Sequence, residues 1–123
     1  MEMNAYRETL FDGAADIAWL TQGWRGLRLY GRKARAAILD GDAAAKAAMI
    51  HRADQLLNVM SGILDSSDAS ELGQRLMTLY TALRYDLLRA NAENSLAALD
   101  DYESALARLD RDMIKSSESA RLP

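Results

Sequence analysis

The sequence has no cysteine and a single histidine, and these two shortages exclude several kinds of site. Without cysteine there is no disulfide framework, no thiolate zinc site and no cysteine nucleophile, and the chain suits a reducing compartment. With His51 alone, a multi-histidine metal site is excluded as well. The only proline is Pro123, the last residue, so no proline interrupts a helix from within.

Charge and hydropathy limit the partners. The net charge of −3 and the pI near 5.1 argue against nucleic acid as the main partner. No apolar run approaches the roughly 20 residues of a membrane-spanning helix. The first eight residues include acids and lack the apolar core of a signal peptide. We therefore expect a soluble cytoplasmic protein with no membrane span.

The apolar residues recur with the period of a helix. Alanine, leucine and arginine are frequent, whereas valine, isoleucine and threonine are scarce, and this balance favours helix over strand. In four segments the apolar positions alternate steps of three and four, as Leu20, Trp24 and Leu27 do, which is typical of helices packed in an antiparallel bundle. We predict an all-α, antiparallel, up-and-down four-helix bundle with a short N-terminal helix or arm.

Turn and capping residues place the helix ends. Gly41 suits the left-handed position that follows a helix, and Asp42 suits the N-cap of the next one. Polar residues at 65–70 and 91–95 mark two further breaks. The predicted organisation is a single domain over 1–115, with an arm at 4–12, helices at 14–39, 43–64, 70–91 and 95–114, and a flexible tail at 116–123.

The sequence offers no catalytic or metal site. A di-iron bundle needs a Glu-x-x-His step on two helices, but Ala48 stands three positions before His51. Asp100 and Asp101 are adjacent, so on a helix their side chains point about 100° apart. The glycine motifs that hold nucleotide phosphates are missing. We predict no enzyme activity, no metal and no cofactor.

The first long helix also carries a basic stripe. Arg25, Arg28, Arg32 and Arg35 follow 3,4,3 spacing, and no acid lies between Ile17 and Leu39. The fourth predicted helix is rich in acids. The stripe is therefore either a solvated face that pairs with that helix or a docking stripe for an acidic partner.

A second, apolar stripe lies beside the core seam of the first long helix. It comprises Trp19, Gly23, Gly26, Tyr30 and Ala37. Ile50 and Leu57 extend the apolar surface of the second helix in the same way. The extra surface indicates a wide core, a groove for a partner helix, or a face for self-association.

The order of several short motifs resembles that of the FliS family of flagellin-specific export chaperones. The motifs are Met-Asn-Ala-Tyr at 3–6, Trp-Arg-Gly at 24–26, the junction at 37–42, Arg-Ala-Asp-Gln-Leu-Leu at 52–57, and Leu-Tyr at 79–80 followed by Leu-Leu-Arg-Ala-Asn at 87–91. They match without gaps from Trp24 to Asn91. Trp24 stands where the family commonly has tyrosine, and Ala82 stands where the family has a second tyrosine.

The resemblance implies both a fold and a role. The family is an antiparallel helical bundle that binds the C-terminal segment of flagellin in the bacterial cytosol. Binding prevents premature polymerisation and keeps flagellin competent for flagellar type III export. A helical adaptor that binds another flagellar export or regulatory protein, or that self-associates, is the alternative, and the chain is expected to be a monomer or homodimer.

The partner-binding residues predicted from the stripes and the resemblance are Tyr6, Leu10, Trp19, Trp24, Leu27, Tyr30, Ile50, Leu57 and Tyr80. The arginine stripe at residues 25, 28, 32 and 35 is the candidate electrostatic contact.

Overall fold

The protein is a bundle of helices. The computed structural model describes the backbone of residues 14–65 and 71–121 and the side chains of residues 18–62 and 71–112. Within these ranges the elements are α1 (Ala14–Leu39), α2 (Ala43–Asp65), α3 (Glu71–Glu93) and α4 (Leu96–Arg121), with no strand. The all-α prediction is confirmed, while the predicted arm at 4–12 lies outside the described residues.

The four helices form a closed ring. Each helix packs against the next one, and α4 packs against α1. Neighbouring helices are antiparallel: Gly23 of α1 faces Met60 of α2, and Gly26, further along α1, faces Leu56, earlier on α2. The predicted four-helix bundle is therefore confirmed. Among the described residues, no helix is both long enough and apolar enough to cross a membrane.

The turn between α1 and α2 follows from its residue types. Gly41 has φ +71°, which is favourable for glycine, and its N–H donates to the carbonyl of Ile38. The N–H of Asp42 donates to the carbonyl of Ala37, which completes a Schellman motif. Asp42 Oδ1 then accepts from the N–H of Ala45 at 3.0 Å and caps α2.

The turn between α3 and α4 uses asparagine in place of glycine. Asn94 has φ 51°, and Ser95 Oγ caps α4 by accepting from the N–H of Ala98 at 3.0 Å. Lys46 of α2 donates to the carbonyl of Asn91 at 2.8 Å and to Asn94 Oδ1 at 2.7 Å. The side chain of Lys46 thus joins the start of α2 to the end of α3.

Two helix ends differ by more than one residue from the sequence prediction. Helix α3 continues to Glu93, because Asn94 rather than the earlier Asn91 takes the left-handed position. Helix α4 runs to Arg121, whereas the sequence predicted an end at 114 and a tail from 116. No glycine or proline occurs between residues 96 and 121, so no residue in this stretch stops the helix.

The core lies along the central axis of the bundle. It is built from the 3,4-spaced apolar residues of all four helices, with Trp24, Tyr80 and Tyr102 as its largest fully buried side chains. Trp24 Nε1 donates to Tyr80 Oη at 3.0 Å, and the Tyr102 hydroxyl donates to the carbonyl of Leu27 at 2.7 Å. The aromatic polar atoms are therefore paired where they are buried, as low-dielectric burial requires.

Candidate partner-binding surface

Most of the residues predicted to bind a partner belong to the core. Trp24, Leu27, Leu57 and Tyr80 are fully buried, and Ile50 is buried with them. Helix α1 packs on α2 at one flank and on α4 at the other, so it buries an apolar surface wider than one seam. In this conformation Trp24, Leu27, Leu57 and Tyr80 hold the bundle together instead of lining an open groove.

The remaining predicted residues have different environments. Trp19 and Tyr30 are half-buried and pack against the edge of the core. Tyr6 and Leu10 lie outside the described residues. The structure therefore brings the described members of the predicted set together around one core, with only Trp19 and Tyr30 partly open to solvent.

Three of the four arginines in the stripe contact the acidic helix α4. Arg28 Nε donates to Glu103 Oε1 at 2.9 Å. The other ion pairs between α1 and α4 are Arg28 with Asp110 at 4.0 Å, Arg32 with Glu103 at 3.8 Å, and Arg35 with Asp100. Arg25 has no ion-pair partner among the described residues. The stripe therefore serves mainly to pair α1 with α4.

The α1–α4 ion pairs leave acceptor atoms unused. Glu103 Oε2 and Asp110 Oδ1 are buried and have no hydrogen-bond partner among the described residues. Arg28 lies between the two carboxylates. It forms a short hydrogen bond with Glu103 but only a longer ion-pair contact with Asp110. Removing Arg28 would leave two carboxylates without their main cation.

A surface cleft lies between α2 and α3. Its volume is about 450 Å³, and it is lined by Ile50, His51, Asp54, Arg84, Tyr85, Leu87, Leu88 and Asn91. Buried Ile50 and Leu87 belong to the core side of the cleft, whereas Tyr85 and Leu88 are 61% and 63% exposed. An open apolar rim beside a buried apolar floor suits the binding of an apolar side chain from another molecule.

A polar contact crosses this cleft. Arg84 Nε donates to Asp54 Oδ1 at 3.1 Å, which joins α3 to α2 at the surface. The two charged groups neutralise each other, so the cleft has no excess charge from this pair. Among the described residues, no group of three histidine or acidic side chains could hold a metal ion.

Tyr85, Leu88 and His51 are not among the partner-binding residues predicted from the sequence. Their positions in the sequence could have indicated this surface. Tyr85 and Leu88 are large apolar residues outside the buried seam of α3, which is formed by Leu76, Tyr80, Leu83 and Leu87. Large apolar residues outside a buried seam lie at the surface, and here two of them are three positions apart on one helix. Only Ile50 belongs both to the predicted set and to the cleft.

Burial shifts the pKa of three groups. Burial raises the pKa of Tyr80 to about 12, although its hydrogen bond from Trp24 acts in the opposite direction. Burial, with a smaller effect of Glu103, raises the pKa of Tyr102 above its usual value. Burial also raises the pKa of Asp86, Asp101 adds to the rise, and Arg89 opposes it. These shifts result from packing, and none of the three groups lines the cleft.

The fold and this surface define a helical bundle with an apolar cleft open at its surface. The family model for the flagellar protein FliS matches residues 2–112 of the chain. Since the match covers most of the sequence, the chain belongs to the FliS family of flagellar chaperones, and the resemblance seen in the sequence is confirmed. No curated relative matches the chain.

Proposed function

We propose that the protein is a cytoplasmic export chaperone that binds the C-terminal segment of flagellin, prevents its premature polymerisation and keeps it competent for flagellar export. Membership of the FliS family supports a chaperone role in flagellum assembly. The cleft between α2 and α3 is the observation that supports a direct contact with the partner. Chaperoning of this kind acts by burial of apolar surface and involves no chemical step.

The cleft fits an amphipathic segment better than a small ligand. Tyr85 and Leu88 are three residues apart, so they lie on one face of α3 and can contact successive turns of a partner helix. An exposed tyrosine is well suited to this role, because its ring buries a large area with little loss of conformational freedom. A disordered terminal segment would fold into a helix as it covers this rim.

The core residues predicted from the sequence have an indirect role in this proposal. Trp24, Leu27, Leu57 and Tyr80 fix the positions of the helices and so keep the cleft open between α2 and α3. Ile50 contributes to both the core and the cleft floor. Trp19 and Tyr30, which are half-buried at the edge of the core, are the members of the set that a partner would reach without opening the bundle.

Calorimetric titration with the C-terminal segment of flagellin from the same genome tests the proposal. We expect one-to-one binding with a negative heat-capacity change, the signature of apolar burial. Tyr85→Ala combined with Leu88→Ala should weaken binding about tenfold or more, about 1.4 kcal/mol. The matched control is Leu39→Ala with Val59→Ala, since these side chains are 67% and 58% exposed on other surfaces.

The outcomes separate the possible functions. Equal losses in the two double variants would show that the cleft is not the contact. Absence of binding by the unaltered chain would favour the alternative function, a helical adaptor for another flagellar protein. Sedimentation of the free and bound chain would distinguish a monomer from a homodimer in either case.

A further inference from the structure

A second surface of the bundle carries cations with no partner. Arg25 and Lys33 of α1 and Arg52 of α2 are exposed and form no ion pair with any described residue. Arg25 and Lys33 are eight positions apart, with Leu29 midway, so the three side chains lie along one face of α1. Leu29 is itself 43% exposed. We call this surface the cationic face.

The packing of α1 on α2 places Arg52 on the same face. Gly26 of α1 lies opposite Leu56 of α2, where an added Cβ would be 3.3 Å from Leu56 Cδ2. Because the helices are antiparallel, the residue one turn after Gly26 on α1 is level with the residue one turn before Leu56 on α2. Arg52 is therefore level with Tyr30, at a height between Arg25 and Lys33. Three cations surround Leu29 and the half-buried Tyr30.

No acid among the described residues neutralises this face. Residues 18–39 contain no aspartate or glutamate, and residues 43–62 contain only Asp54. The Asp54 carboxylate pairs with Arg84 on the flank of α2 that faces α3, away from α1. The face is therefore uniformly positive on a chain whose net charge is −3.

The adjoining flank of α1, which faces α4, shows what such a face binds. There, Arg28, Arg32 and Arg35 are matched by carboxylates of α4, an acidic amphipathic helix laid along α1. The cationic face repeats this pattern of basic side chains with apolar residues between them, but it has no helix over it among the described residues. The overall negative charge of the chain disfavours a membrane or nucleic acid, which attract protein through long-range charge.

We propose that the cationic face, formed by Arg25, Leu29, Lys33 and Arg52, is a docking surface for an acidic amphipathic helical segment of another protein. Carboxylates of that segment pair with the three cations, and its apolar side chains cover Leu29. The surface is distinct from the cleft, because it lies on the flank of α2 that carries Arg52 instead of the flank that carries Asp54. The chaperone can therefore hold this second partner and its cargo together.

The test uses the full chain labelled with ¹⁵N and a synthetic amphipathic peptide of about 18 residues, with glutamate on one face and leucine on the other. Amide shifts should concentrate at Arg25, Leu29, Lys33 and Arg52. Affinity should fall as NaCl rises from about 50 to about 300 mM, because salt screens exposed charges. The same peptide with glutamine in place of glutamate should bind at least about tenfold more weakly.

Charge-neutral variants give the decisive comparison. The triple variant Arg25→Gln, Lys33→Gln, Arg52→Gln should lose at least about tenfold in affinity for the acidic peptide and keep its affinity for the flagellin segment. The matched triple variant Arg75→Gln, Arg108→Gln, Arg111→Gln changes the net charge equally at other exposed sites. It should bind the acidic peptide as the unaltered chain does.

Five results would overturn the proposal. One is an equal loss in both triple variants, and another is amide shifts at Tyr85 and Leu88 instead of the cationic face. The third is binding of phosphatidylserine vesicles, but not of the peptide, through the same three cations. The fourth is peptide binding only after Glu2→Gln, Glu8→Gln and Asp12→Asn, because the chain's own N-terminal segment would then be the occupant. The fifth is loss of flagellin binding in the first triple variant, which would mean that the cationic face contacts flagellin.

Discussion

The two flanks of α1 use glycine in the same way but differ in what the glycine meets. Toward α2, a Cβ added at Gly23 would lie 2.6 Å from Met60 Cε, the free end of a flexible side chain. Toward α4, a Cβ added at Gly31 would lie 2.7 Å from Cε1 of Tyr102, whose hydroxyl is bonded to the carbonyl of Leu27. The same added methyl group should therefore cost more stability at Gly31 than at Gly23. Met60 can move aside, whereas the ring of Tyr102 is held by its backbone and by its hydroxyl hydrogen bond.

The flanks also differ in charge. The α4 flank joins Arg28, Arg32 and Arg35 to carboxylates, whereas no ion pair between α1 and α2 occurs among the described residues. The α2 flank is therefore held by apolar packing that salt hardly affects, and the α4 flank has an added electrostatic part that salt weakens. Four experiments, from the largest expected effect to the smallest, test this difference.

Gly31→Ala should separate the flanks most clearly. The added methyl group displaces the ring of Tyr102, and we expect a loss of about 2–3 kcal/mol in the free energy of unfolding. Gly23→Ala is the matched control and should change stability by less than about 1 kcal/mol, since Met60 can move aside and alanine favours a helix. Urea denaturation followed by circular dichroism measures both, and equal losses would contradict the comparison.

Tyr102→Phe should reverse its effect with pH. Near neutrality the variant loses one buried hydrogen bond, a cost of about 1 kcal/mol. The pKa of Tyr102 is raised by burial, so above about pH 10 the phenol ionises in the unfolded chain first and favours unfolding. Each further pH unit then lowers the free energy of unfolding of the unaltered chain by up to ~1.4 kcal/mol, and the variant does not have this loss. Denaturation at neutral pH and at about pH 11 checks this, and a constant difference would contradict it.

Arg28→Gln should weaken only the α4 flank. It removes the main cation of Glu103 and Asp110, and we expect a loss of ~1 kcal/mol at low salt, discounted for partial exposure of the pair. The loss should shrink as NaCl is raised. Arg25→Gln, one turn away and without an ion-pair partner among the described residues, is the control and should leave stability nearly unchanged. A salt-independent loss would show that Arg28 acts through packing.

Asp86→Asn should have the smallest effect and the opposite sign. The acids of α4 attract the arginines of α1, but Asp101 of α4 repels Asp86 of α3. Burial, and to a smaller extent Asp101, raises the pKa of Asp86. The ionised carboxylate therefore destabilises the fold above its raised pKa, and the neutral amide should gain about a few tenths of a kcal/mol near neutral pH. The gain should vanish at a pH low enough to protonate Asp86. The exposed Asp112→Asn is the control for the change in net charge, and Tm reports both.

The fold could be predicted because turn chemistry and apolar period agree. Gly41 and Asp42 mark the end of α1 and the start of α2, and the observed turn uses both as the sequence indicates. The end of α4 could not be predicted in the same way. Its polar last residues favour a tail by composition, but every one of them up to Arg121 tolerates a helix.

The role of the predicted partner-binding residues could not be decided from periodicity. Each of Trp24, Leu57 and Tyr80 keeps the helical spacing of its own helix whether it faces other helices of the bundle or a partner. Only the ring arrangement, in which α1 contacts two neighbours, shows that a wide stripe is needed for the core. Likewise, the spacing of the arginines does not reveal that Arg28, Arg32 and Arg35 reach α4 while Arg25 does not, since this depends on the rotation of α1 about its axis.

The two tight turns at Gly41 and Asn94 lie at the same end of the bundle, where Lys46 joins them. The chain is thus composed of two consecutive helical hairpins, and three of its four helix interfaces form between helices that are consecutive in sequence. Such a topology has a low contact order, because few loops must close over long separations before packing begins. We expect rapid refolding after dilution from urea, in milliseconds or less, with the hairpins as natural units of early structure.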